Sequence, residues 1–179
     1  MKTYIALLRG INVSGKNIIK MEALKKLFFD LGFEKVQTYI QSGNVIFTNN
    51  QNLSKTDLAQ LITSKIKATF ELNIPVLILE NEELKTNIAL LPFFDFEEKN
   101  IYLTFLNEYT KVSNFDKILE KKSEGETIII TENVVYLECK NGYGNKKLTN
   151  VVLEKQLNVL CTTRNLKTSK KILELSTDF

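Results

Sequence analysis

Leu7-Leu8-Arg9-Gly10-Ile11-Asn12-Val13-Ser14-Gly15-Lys16-Asn17 leaves an apolar run, crosses two glycines and a lysine, and leads into a segment with helical spacing. Its reading decides the fold. Gly10 to Gly15 and Lys16 spell G-x-x-x-x-G-K after the strand-like Thr3-Tyr4-Ile5-Ala6-Leu7-Leu8, the pattern of a phosphate-cradling loop in a parallel α/β sheet. Such a loop needs a hydroxyl after the lysine to hold magnesium. Here that place is taken by Asn17, whose amide is a poorer ligand for a hard cation. The spacing Met21, Leu24, Leu27, Phe28, Leu31 also starts the amphipathic helix near Lys20 rather than at Lys16.

The next residues argue against a parallel sheet as well. Lys35-Val36-Gln37-Thr38-Tyr39-Ile40 and Asn44-Val45-Ile46-Phe47-Thr48 are rich in β-branched and aromatic residues and flank the short turn Gln41-Ser42-Gly43, so they predict an antiparallel hairpin. Ser54-Lys55-Thr56-Asp57 is a capping box with aspartate in the reciprocal role. Leu58, Leu61, Ile62, Ile66 and Phe70 continue it at helical spacing, and Pro75 precedes the strand-like Val76-Leu77-Ile78-Leu79. The order strand, helix, strand, strand, helix, strand predicts an α+β protein with a ferredoxin-like amino-terminal subdomain over residues 1–80.

A second α+β subdomain is expected over residues 81–179. A helix through Leu84, Ile88 and Leu91 stops at Pro92, and Phe93-Phe94-Asp95-Phe96 connects it, by packing, to the strand Ile101-Tyr102-Leu103-Thr104-Phe105-Leu106. A short helix capped by Ser113 follows, with Asp116 three residues on. Next comes a hairpin with arms Thr127-Ile128-Ile129-Ile130 and Val134-Val135-Tyr136-Leu137. This order repeats the first half with its last strand replaced by helices. The polar cluster Asn141-Gly142-Tyr143-Gly144-Asn145-Lys146-Lys147 leads to a helix through Leu157, and Thr162-Thr163-Arg164-Asn165 leads to a final helix bearing Lys167, Lys170 and Lys171. Helix starts with cationic neighbours suit phosphate or carboxylate. A plain cap by Thr163 or Asn165, with the lysines as a solvated face, accounts for the same residues.

Composition excludes more than it assigns. The 179 residues carry 24 basic and 21 acidic side chains, a net charge of +3, which is too balanced for a dedicated duplex-binding surface. There is no histidine, so Ser-His-Asp and Cys-His catalysis and histidine-ligated metal sites are excluded. Cys139 and Cys161 lack C-x-x-C spacing and sit in apolar surroundings, which predicts buried thiols and no metal. No signal pattern and no run of about 18 apolar residues occurs, and the expectation is a cytoplasmic protein without membrane association.

Three blocks carry a family resemblance. They are Leu8-Arg9-Gly10-Ile11-Asn12-Val13 with Gly15-Lys16-Asn17 and Met21; Tyr39-Ile40-Gln41-Ser42-Gly43-Asn44-Val45; and Lys147-Leu148-Thr149 with Thr162-Thr163-Arg164-Asn165. The chain resembles the bacterial family known as domain of unknown function 1697. The resemblance implies a two-part α+β fold and brings no catalytic residues. Ser14 stands where that family commonly has glycine, Leu166 where it has tryptophan, and Lys167 where it has asparagine.

Arg9, Asn12, Lys16, Gln41, Asn44, Arg164 and Asn165 are donor-rich side chains near glycines or element ends. They predict a non-catalytic protein that binds an anionic ligand, a nucleotide or single-stranded RNA, in a cleft between the subdomains, and no cofactor is implied. Two alternatives use other features. One is a hydrolase or transferase on a phosphorylated small molecule, with Lys16 and Arg164 stabilising charge. The other is a protein-interaction module built around Phe93, Phe94 and Phe96.

Overall fold

The computed structural model describes residues 1–109, 115–143, 148–177 and 179. The chain divides into two compact units, Met1–Lys85 with Lys171–Phe179, and Thr86–Lys170.

In the first unit β1 (Lys2–Leu8), α1 (Met21–Asp30), β2 (Glu34–Tyr39), β3 (Asn44–Asn49), α2 (Lys55–Phe70) and β4 (Val76–Glu80) form a ferredoxin-like βαββαβ fold. The sheet order is β2-β3-β1-β4 and every pairing is antiparallel. α1 ends where its periodicity ends. Gly32 takes φ +82°, its N–H reaches Phe29 O at 2.9 Å and that of Phe33 reaches Phe28 O at 3.3 Å, which closes the last turn. α2 begins at the Ser54–Asp57 capping box. Tyr4, Ala6, Leu8, Val45 and Phe47 face the helices and pack on Leu24, Phe28, Leu58 and Ile62. The opposite sheet face, with Ile5, Leu7, Ile46 and Leu79, is buried too, so the strands present no open aromatic platform. Tyr4 stacks on Phe47 inside the core and Tyr39 is half-buried.

The helix α3 (Asn81–Ala89) precedes the second sheet. There β5 (Ile101–Leu106), α4 (Phe115–Leu119), β6 (Glu126–Ile130), β7 (Val134–Cys139), α5 (Asn150–Leu157) and β8 (Cys161–Asn165) repeat the βαββαβ order, with strands arranged β6-β7-β5-β8. Leu106, Ile118, Val135, Leu137, Leu153 and Cys161 form the core. Cys139 and Cys161 are both buried and neither forms a disulfide. The final helix α6, Leu166–Thr177, follows β8 directly.

Two expectations change. Thr162-Thr163-Arg164-Asn165 is not a loop before a helix but strand β8, paired with β5 from Tyr102↔Asn165 to Leu106↔Cys161, so the second half does have its last strand. Its β-branched threonines satisfy a ladder that only the fold supplies. The aromatic connector packs only in part. Phe93 and Phe96 are half-buried, but Phe94 is 94% exposed. The expected Ser113 cap and the stretch Gly144-Asn145-Lys146-Lys147 lie outside the described residues. Among the described residues no helix is long and apolar enough to cross a membrane, and no cluster of acidic and cysteine side chains is arranged to hold a metal ion.

Candidate functional site

After Leu8 the chain turns through a run of left-handed residues. Gly10, Asn12, Ser14, Gly15 and Asn17 all have φ between +49° and +73°. Ser14 and Gly15 form the two central positions of a mirror-image turn. Lys16 N–H donates to Val13 O at 2.9 Å and Asn12 N–H to Asn17 O at 3.2 Å, which makes a miniature hairpin of residues 12–17. Asn17 Nδ2 ties its base to Gly10 O at 2.9 Å. Asn12 then fixes the hairpin to the rest of the unit. Its Nδ2 donates to Ile19 O and to Gln41 O, and its Oδ1 accepts from Ile19 N–H, each at 2.9 Å.

The turn over residues 40–43 closes against this loop. Leu8 N–H donates to Gly43 O at 2.8 Å and Arg9 N–H to Pro75 O at 3.0 Å, so the loop, the turn and the lead into β4 meet. Asn44 is fully buried, and its Nδ2 donates to Tyr39 O and Ser42 Oγ at 3.0 Å each. Two of the motifs picked from the sequence therefore do come together. Their asparagines, however, hold backbone rather than face solvent.

A phosphate cradle needs N–H groups aimed at empty space, and those of Asn12, Lys16 and Ile19 are already bonded. What the loop presents instead is side chains. Lys16 and Lys20 are exposed, Gln41 is exposed and Arg9 is half-buried. Between them stand three apolar residues that the sequence reading does not single out: Val13 at 56% exposure, Ile18 at 63% and Ile40 at 49%. Val13 follows Asn12 in the chain, Ile18 precedes Ile19 and Ile40 precedes Gln41, so each adjoins a residue joined through the Asn12 side chain. Ile18-Ile19 carries a signal, since one of two adjacent isoleucines in a loop must point away when the other, here 2% exposed, enters the core.

A recess of about 580 Å³ lies elsewhere in the same unit, among Lys2, Glu80, Asn81, Lys85 and Ser176. Its lysines already pair with acids. Lys2 lies 3.5 Å from Glu80, and Lys85 lies 3.3 Å from Glu82.

Arg164 and Asn165 belong to the second unit. Asn165 caps α6, with Thr168 N–H donating to its Oδ1 at 2.7 Å, the plain alternative raised from the sequence. The Arg164 guanidinium is buried in β8, where Nη1 donates to Thr162 Oγ1 at 3.0 Å and Thr163 O at 2.9 Å. Burial lowers its pKa to about 10. Thr163 points the other way, into a hydroxyl cluster with Thr104 (2.7 Å), Asn150 (2.6 Å) and Tyr143 (3.2 Å).

On the Arg164 face of the sheet, the Tyr136 phenol donates to Asn87 O at 2.9 Å, and burial pushes its pKa up to about 12. Because the folded phenol holds its proton above the unfolded value near 10, its stabilisation is complete below pH 10 and is lost as pH rises to about 12. The Arg164 shift has the opposite sign, and its penalty is relieved above about pH 10. In an ultraviolet phenolate titration, Tyr136→Phe is expected to remove a component near pH 12, and an unchanged curve would contradict this placement of the phenol.

Residues 1–136 match the model of a family described as a protein of unknown function, DUF1697. No curated protein matches the chain. Among solved structures, the chain is similar to a conserved bacterial protein from Streptococcus pneumoniae, with 24% identity, 98% of each chain covered and a TM-score of 0.73. At that identity the likeness shows the fold.

Proposed function

We propose, for a chain that belongs to the DUF1697 family of unknown function, that it is a non-catalytic binding protein whose loop 9–20 and turn 40–43 take single-stranded RNA. The observation that carries this reading is the display of Val13, Ile18 and Ile40 beside Lys16 and Lys20 on a hairpin pinned by Asn12. Bases make van der Waals contact with the aliphatic side chains while phosphates meet ammonium groups, and a rigid support lowers the ordering cost of binding. RNA is favoured over a mononucleotide because residues 13–18 are all exposed and form a ledge, whereas a small ligand needs a recess that buries most of it.

The test is anisotropy of a labelled oligoribonucleotide, with a mononucleotide as competitor. Lys16→Glu is expected to weaken binding on the order of tenfold and to make the salt dependence shallower, by about 0.7 in slope for each phosphate no longer neutralised. Lys67→Glu, on the exposed face of α2, should leave binding nearly unchanged. Equal weakening in the two variants would mean general charge attraction and would overturn the site. Competition by the mononucleotide alone would move the reading to nucleotide binding. Cleavage of the oligomer would make the protein an enzyme.

A further inference from the structure

The two sheets share one strand order, so β2 and β6 occupy the same edge position in their units. They treat that edge differently. An exposed edge invites pairing with another chain, and β2 is protected by a register shift between Glu34 and Gln37, by Lys35 at φ +46° and by two exposed charges. β6 has none of these. Its ladder with β7 runs without a shift from Glu126↔Cys139 to Ile130↔Val135. From Thr127 to Thr131 it carries no charge, proline or glycine.

The direction of its backbone groups follows from the ends of the hairpin. Thr131 N–H donates to Val134 O at 2.9 Å and Lys140 N–H to Gly125 O at 3.0 Å, so the odd-numbered residues of β6 bond β7. By alternation, the N–H and C=O of Ile128 and Ile130 point outward. Among the described residues nothing bonds them. The strand is also a palindrome, Thr127-Ile128-Ile129-Ile130-Thr131.

We infer that β6 is the dimer edge of this protein, pairing antiparallel with β6 of a second copy about a twofold axis at Ile129. In that register Ile128 faces the partner's Ile130, which is the combination whose outward groups can exchange hydrogen bonds. Ile129 meets the partner's Ile129 at a non-hydrogen-bonded position, where side chains approach most closely, and Thr127 meets the partner's Thr131. Within residues 127–131 no like charges oppose one another; Glu126 and the partner's Glu132 meet only beyond that segment. The contact is isologous and closes at two copies, joining two four-stranded sheets into one of eight. A second copy fits this edge better than an unrelated peptide because the palindrome satisfies itself in sequence and in hydrogen-bond phase together. This surface is independent of the RNA site proposed above.

Light scattering over a concentration series tests it. With a paired edge this short, a dissociation constant on the order of 10 µM is expected, so the mass should rise from 20.6 kDa towards twice that value with concentration. Thr127→Lys, at an exposed position opposite Glu138 of its own sheet, and Ile129→Lys should both stay monomeric; unchanged thermal melting of the first variant shows that the fold is kept. Ile129→Cys treated with a thiol oxidant should give a covalent dimer, since Cα atoms about 4.5 Å apart suit a disulfide, and Ile128→Cys should not. A monomer at every concentration would overturn the inference, as would a dimer indifferent to both lysines or a monomer that binds an extended peptide at this edge.

Discussion

Gly43→Ala is expected to destabilise the protein by about 3 kcal/mol, a fall in melting temperature of about 10 °C for a chain of this size. Gly43 sits at φ +77°, and the left-handed conformation costs an L side chain about 1–2 kcal/mol. Space is the larger difficulty. A Cβ there would lie 2.7 Å from Leu8 Cβ, 2.8 Å from Ile11 Cδ1 and 3.0 Å from Ile11 Cγ1. Leu8 and Ile11 are 0% and 1% exposed, so neither can swing into solvent, and Leu8 is held by its own N–H to Gly43 O. Overpacking of this kind adds about 1–3 kcal/mol. Gly15→Ala is the internal control. It has φ +73° but nothing within 4 Å, so it should cost only the conformational part, about 1 kcal/mol. Chemical denaturation of both variants decides the matter, and equal destabilisation would mean that the turn and the loop are not closed on each other as described.

Asn12→Ala should cost about 2–4 kcal/mol and abolish RNA binding without removing any group assigned to touch the ligand. The substitution leaves the N–H and C=O of Ile19 and the carbonyl of Gln41 without their present partner, in a place where Ile19 is buried. It also places alanine at φ +54°, where asparagine is tolerated and alanine costs about 1–2 kcal/mol. Amide hydrogen exchange should show the Ile19 amide losing its protection while strand β1 keeps its own. Asn12→Asp separates the two causes. Aspartate tolerates the backbone and can still accept from Ile19, but its charge faces two carbonyl oxygens, so it should be destabilised at neutral pH and recover as acid protonates it. An aspartate variant as stable as the parent at pH 7 would show that the two donated bonds carry little.

These two residues also mark how far the sequence can be read. In the sequence Gly43 reads as a turn residue and Asn12 as chemistry near a ligand, because amide side chains at element ends have that use. The structure gives Asn12, Asn44 and Asn165 backbone to hold, and only non-local geometry could reveal this for Asn12, since Gln41 lies 29 residues away. Arg164 reads as a donor at a helix start, yet it is a buried strand residue. Its threonine neighbours do carry a strand signal, but Asn165 really does cap α6, and the cap is the stronger local pattern.

The sequence alone determined the elements whose cause is local. The capping box at Ser54, the glycine stop at Gly32, the β-branched and aromatic runs on either side of residues 41–43 and the 3.6-residue spacing of α1 and α2 each act within a few residues, and together they specify the ferredoxin-like unit and exclude the P-loop. Tertiary structure decided which of two like residues is wet. It buries Ile19 and exposes Ile18, protects the edge of β2 with a bulge and leaves that of β6 plain, and recruits Cys161–Asn165 as a strand through five partners in β5. The physical reason is that burial and ladder hydrogen bonds are properties of pairs brought together across the chain, and neither partner encodes the other in its own neighbourhood.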